Sequence, residues 1–146
     1  MPEIGIEWPQ IWFNLWHLGA AYVLALPSAL DREAASRSAG LRTYPLVAIA
    51  ACGYTLVGFS ILDSTDAEAR VLQGVITGIG FIGGGAILKS RGSVSGTATA
   101  ASIWTTGLIG IAVAADRFEI AIILSALTFT TLRLGRELKS TVKKSD

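Results

Sequence analysis

The chain has 146 residues, of which 51% are apolar and only 16% charged, against roughly 25% charged residues in a soluble domain. That balance points away from an ordinary water-soluble globule, the distribution of charge-free runs decides the class, and the length leaves room for one domain. A net charge of +1 without a basic stripe speaks against nucleic-acid binding, and a single cysteine, Cys52, excludes an intrachain disulfide.

The first charge-free run is Trp8–Leu30, 23 residues long. A bilayer core about 30 Å thick needs about 20 apolar residues at about 1.5 Å rise each, so this run predicts a spanning helix near 12–30. Its leader, Met1–Glu7, carries Glu3 and Glu7 but no Lys or Arg, and Asp31-Arg32-Glu33 follows it. A signal peptide needs a positive leader and a small-residue cleavage site, so the run reads as a retained helix. Trp8, Trp12 and Trp16 suit an interfacial belt. His17 lies mid-helix near Asn14 with no acid beside it in sequence, and is expected to be a hydrogen-bonded packing residue rather than a proton relay.

The second run, Thr43–Leu62, has 20 residues and predicts a helix near 44–62, with Cys52 as a small packing residue. The third, Val71–Leu88, has 18 and predicts a helix near 71–88. Six glycines fall between 74 and 85. Gly74 and Gly78, and again Gly80 and Gly84, have the four-residue spacing of close helix contacts. Gly83, Gly84 and Gly85 could instead unwind the helix at a site lined by protein or water; packing is the preferred reading. Gly78-x-Gly80-x-x-Gly83 fits a dinucleotide fingerprint in letters only, because no strand precedes it.

The fourth run, Gly92–Ala115, has 24 residues and predicts a helix near 97–115. Thr97, Ala101 and Thr105 recur at four-residue spacing, as do Ala98, Ser102 and Thr106. Such faces bond back to their own helix or to a neighbour, and less often line a polar path. From Thr97 to Leu132 the chain would make one helix of about 54 Å, too long for a single crossing. Asp116, Arg117 and Glu119 sit in its middle, so a tight turn there is expected, with a fifth helix near 118–134. Only 13 charge-free residues separate Glu119 from Arg133, so the fifth helix spans only if those ends snorkel.

Charge orients this all-α polytopic fold. With five spans, one side collects Arg32, Arg37, Arg42, Lys89, Arg91, Arg133, Arg136, Lys139, Lys143 and Lys144, leaving Arg70 and Arg117 on the other. Ten of the 12 basic residues on one side place the N-terminus outside and the C-terminus in the cytosol. Residues 1–135 form a transmembrane helical domain and 136–146 a short basic tail drawn to anionic lipid.

Three blocks carry a family resemblance. Asp31-Arg32-Glu33 is followed by Gly40-Leu41-Arg42-Thr43; Arg70 is followed by Gly78-Ile79-Gly80-Phe81-Ile82-Gly83-Gly84-Gly85; and Gly96-Thr97-Ala98-Thr99-Ala100-Ala101 runs through Ser102 to Trp104. In this order, over residues 20–115, they resemble the MgtC/SapB family of bacterial inner-membrane proteins. The resemblance implies a multi-pass, non-enzymatic protein tied to Mg²⁺ homeostasis or growth at low Mg²⁺. It also implies action through helix contacts with itself or a membrane partner such as the F-type ATP synthase. The family-motif positions Asp31, Arg32, Glu33, Arg42, Thr43, Arg70, Gly74, Gly78, Gly80, Gly83, Gly84, Gly85, Gly96, Thr97, Thr99, Ser102 and Trp104 are the functional candidates.

Departures are Asp31 for the usual Glu, Pro27 and Ala29 where glycines are frequent, and Ala98 for Thr or Asn. Many virulence-associated members continue into a soluble C-terminal domain. Arg136–Asp146 is too short to fold alone, so regulation through such a domain is not expected. The alternative function is a small oligomeric transporter or channel for Mg²⁺ or another cation. It would use Asp31 and Glu33, weak metal candidates because Arg32 stands between them, and the hydroxyls of Thr97, Thr99 and Ser102. No nucleophile–base pair, P-loop or Cys/His cluster is visible, so no enzyme activity or cofactor is expected beyond Mg²⁺ itself.

Overall fold

A computed structural model describes residues 7–35, 39–90 and 93–142. Arg37, Arg91, Lys143 and Lys144 of the basic set, and Glu3 of the acidic one, lie outside the described residues. Five helices occur: α1 Trp8–Ala34, α2 Thr43–Ile61, α3 Thr65–Gly85, α4 Thr97–Ala114 and α5 Phe118–Val142. Between α3 and α4 a short antiparallel hairpin pairs β1, Leu88–Ser90, with β2, Ser93–Ser95.

The boundaries follow local chemistry. Pro9 sits in the first turn of α1, where its missing N–H costs no helical bond. Pro27 lies inside α1 and removes the donor that would meet the Val23 carbonyl. One residue on, the Leu24 carbonyl accepts the Ser125 hydroxyl of α5 at 2.6 Å.

The third helix differs from its expected range of 71–88 at both ends. It starts six residues earlier because Ser64 caps it, accepting from the Ala67 N–H, while Asp66 and Glu68 complement the positive end of the helix dipole. It stops at Gly85, and Leu88 joins the hairpin. Gly96 closes that hairpin at φ +87°, where a Cβ would also strike the Ala86 carbonyl oxygen, so only glycine fits. The turn expected near Asp116 is present, with Asp116 itself at φ +55°. The last helix continues past 134 to Val142, so the segment assigned to a tail begins as helix.

The fourth helix is the axis of the bundle and packs against the other four. Two thirds of its apolar window is buried (67%), against 17% in α5. The core is made of small side chains: Ala21, Ala25 and Ala29 form a fully buried stripe of α1, facing a cluster that includes Ala48, Cys52 and Val113. Small residues let helix backbones approach closely, the packing mode used where lipid removes the hydrophobic drive between helices.

Among the described residues three helices are long and apolar enough to cross a membrane: Thr43–Ile61, Thr97–Ala114 and Phe118–Leu138. The expected count was five. The first and third helices, 27 and 21 residues, have the length. Gln10, Asn14 and His17 dilute α1, and Asp66, Glu68, Arg70 and the glycines dilute α3.

Candidate functional site

The polar side chains gather at two ends of α1. His17 and Asp31 are 14 residues apart, so these ends are separated by about 21 Å along the helix.

At the C-terminal end of α1, the Asp31 side chain is 1% exposed and lies between two arginines. Arg32 Nη2 and Nε donate to Asp31 Oδ2 at 2.6 and 3.2 Å. Arg136, on α5, brings Nη2 to 2.8 Å from Oδ1 and donates from Nη1 to the Asp31 backbone carbonyl at 3.2 Å. The Oδ1 contact is an ion pair off the hydrogen-bond line. One carboxylate with two guanidinium groups leaves the cluster positive. Glu33 points elsewhere: its Oε2 accepts the Leu41 N–H at 3.0 Å, and Gly40 packs directly on that carboxylate.

One layer deeper, Tyr44 of α2 meets Ser102 of α4, both buried. Ser102 gives its proton to the Thr99 carbonyl at 2.9 Å, so Tyr44 is the donor of the pair. Thr106 and Thr105 donate to the Ser102 carbonyl at 2.7 and 3.0 Å, and Thr128 of α5 donates to Thr105 at 3.2 Å. The hydroxyl face of α4 is therefore engaged with its own backbone and its neighbours.

At the other end, His17 is 2% exposed. Its Nδ1 is 2.8 Å from the Phe13 carbonyl and its Nε2 is 2.9 Å from Asp116 Oδ1. Both ring nitrogens face oxygen acceptors. Phe13 and Phe118 flank the ring at centroid distances of 4.0 and 5.6 Å.

The candidates thus divide. Asp31 and Arg32 come together, with Tyr44, Thr99 and Ser102 just above them. Arg42 is exposed and Thr43 half-buried at the start of α2; the second cation on Asp31 is Arg136 of α5. Thr97 is exposed, and Trp104 is 51% exposed on the outside of α4. Arg70 lies on α3, exposed.

Of the α3 glycines, only Gly83 packs, against the Ala100 carbonyl of α4. Among the described residues, a Cβ at Gly74, Gly78, Gly80, Gly84 or Gly85 would have nothing within 4 Å. Glycines outside α3 also bring helices together: Gly110, whose Cβ would strike the Ala48 carbonyl, Gly107, which lies against Ile79, and Gly58 of α2, which lies against Val71. Among the described residues no three His, Cys, Asp or Glu side chains gather as a metal cluster.

Sequence reasoning missed Arg136 and Asp116, which are 105 and 99 residues from their partners. The side allotment held the signal for the first, since it set Arg136 and Asp31 at one face. For the second, the same reasoning put Asp116 at the face where α1 begins.

The MgtC family model matches residues 18–141. A protein of Synechocystis, slr0014, is 35% identical over 84% of this chain and 50% of its own length. SrpB of Synechococcus elongatus is 33% identical over 83% of this chain and 74% of its own length. MgtC of Brucella abortus is 35% identical over 88% of this chain and 56% of its own. YhiD of Escherichia coli K12, whose name describes a candidate magnesium transporter, is 33% identical over 75% and 54%. The chain therefore spans about half the length of three of these relatives. No solved structure gives a significant match.

Proposed function

This chain belongs to the MgtC family, and from that premise we propose a non-enzymatic, multi-pass protein of the bacterial inner membrane that serves Mg²⁺ homeostasis by helix contact with itself or a membrane partner. The names of its relatives MgtC and YhiD support the Mg²⁺ link. The five-span reading, N-terminus outside, is supported by the basic-residue bias and by helix direction. The Ser125–Leu24 and Arg136–Asp31 contacts make α1 and α5 parallel, and Tyr44–Ser102 joins the N-terminal parts of α2 and α4, as five alternating helices require.

The observation that carries the contact role is the open glycine side of α3. Gln73, Thr77, Gly80 and Gly84 recur at spacings of four, three and four, all exposed, and nothing among the described residues covers the two glycines. Small-residue spacing of this kind permits a second helix to approach at backbone distance. The F-type ATP synthase is the partner the resemblance implies. The test is cysteine cross-linking and partner co-purification from membranes with Gly80→Leu and Gly84→Leu. Both variants should lose the cross-linked species and the partner while keeping the fold. Wild-type assembly in both would remove the basis of the reading.

Cation transport has less support. Asp31 is held by two arginines, Glu33 by a backbone N–H, and the hydroxyls of Ser102, Thr105 and Thr106 donate to backbone carbonyls. Mg²⁺ flux into proteoliposomes that falls with Asp31→Asn would reinstate it.

A further inference from the structure

Between α2 and α3 runs an apolar groove of about 560 Å³. Val47 and Tyr54 of α2 and Val75 and Ile82 of α3 form its walls, and Gly74 and Gly78 leave it unobstructed. Arg70 is the last α3 residue to line it at one end. From Arg70 to Ile82 the groove follows α3 for about 18 Å, close to the roughly 15 Å of hydrocarbon in one leaflet. The groove between α1 and α5, about 510 Å³, and that between α1 and α2, about 450 Å³, are of similar size, yet neither has a charged side chain in its wall.

The charges around Arg70 are ordered. Asp66 stands four residues earlier on the same helix face, about 6 Å farther from the groove. Both residues are exposed, and neither makes an ion pair among the described residues. A cation at the groove mouth with a carboxylate one turn beyond matches a headgroup that carries a phosphate next to the chains and an ammonium outside it. A guanidinium takes phosphate through two parallel N–H donors. An anionic headgroup would offer nothing to Asp66 and would meet the like charges of Asp63 and Glu68 as well. A choline headgroup has no N–H to give.

We propose that this groove is a lipid site that seats one acyl chain of a phosphatidylethanolamine-type lipid, with the phosphate on Arg70 and the ammonium on Asp66. The site rests on the membrane placement of the chain; its acyl-chain wall, at Gly74 and Gly78, lies on a different side of α3 from Gly80 and Gly84, while Arg70 and Asp66 continue the Gln73–Thr77–Gly80–Gly84 stripe at spacings of three and four.

The test is native mass spectrometry of the full chain with phosphatidylethanolamine, phosphatidylglycerol and phosphatidylcholine of matched acyl chains. The wild type should retain the ethanolamine lipid several-fold over the other two. Arg70→Gln should lower that retention about tenfold, and Arg70→Lys should keep most of it. Asp66→Asn should remove the preference over phosphatidylcholine. Gly78→Leu, which has open space for its side chain, should lower retention of all three by filling the groove. Equal retention of the three lipids by the wild type, or undiminished retention in Arg70→Gln, would overturn the proposal. So would a changed oligomeric state in Gly78→Leu with lipid retention intact, since a second copy would then be the occupant.

Discussion

The third and fourth helices are neighbours, and both depend on glycine, but to opposite ends. In α4, Gly107 and Gly110 are spent inside the chain: they bring the helix against Ile79 of α3 and the backbone of α2. In α3 the glycines outnumber those of α4, yet only Gly83 touches another helix, and five have open space beside them. Glycine in a membrane helix therefore marks close approach, but spacing alone does not say whether the approach is to this chain or to something else. Burial decides it, and α4 is the buried one.

Substitution can break this contrast in a graded way. The largest effect is expected from Gly110→Leu, whose side chain has to displace the Ala48 carbonyl and the Cys52 amide. Overpacking of this kind costs about 1–3 kcal/mol or more, so the variant should fail to accumulate or should unfold well below the wild type in detergent melts. Ser102→Ala comes next. It leaves the buried Tyr44 hydroxyl without its acceptor, a loss of about 1–3 kcal/mol by chemical denaturation in mixed micelles. A Tyr44→Phe, Ser102→Ala pair should recover much of that loss, because no polar group is then stranded. The smallest effect belongs to α3. Gly84→Ala should change stability by no more than about 0.5 kcal/mol, whereas Gly83→Leu, one residue away and against the Ala100 carbonyl, should cost clearly more. Equal costs at 83 and 84 would mean that the two faces of α3 are not different.

Much of the fold was legible because it rests on local signals. Four charge-free runs located the first four helices, and Asp116-Arg117 and Glu119 located the last turn and with it the fifth helix. The start of α3 was misplaced because the charges of Asp66, Glu68 and Arg70 were read as loop, whereas the Ser64 cap and the helix dipole draw them into the first turns. Its end was misplaced because apolar Ile87 and Leu88 prolong the hydropathy pattern into a hairpin.

Of the site, the Asp31–Arg32 pair was legible from adjacency. Arg136 was not, because a contact across 105 residues leaves no periodic trace. The same holds for His17, which as a lone histidine gave no reason to look as far as Asp116.

The contacts of α1 with the last stretch of chain have a consequence for biogenesis. His17 is held by Asp116, the Leu24 carbonyl by Ser125, and Asp31 by Arg136, at sequence separations of 99, 101 and 105. Helix α1 is therefore tied down by the turn before α5 and by α5 itself, which are made after the other helices described. His17 lacks its carboxylate until Asp116 emerges, and until α5 is made the Leu24 carbonyl lacks that hydroxyl and Asp31 has only Arg32. While α2, α3 and α4 are being made, α1 is an unlatched member of the nascent bundle, and it is during that interval that the insertion machinery or a chaperone would find it within reach.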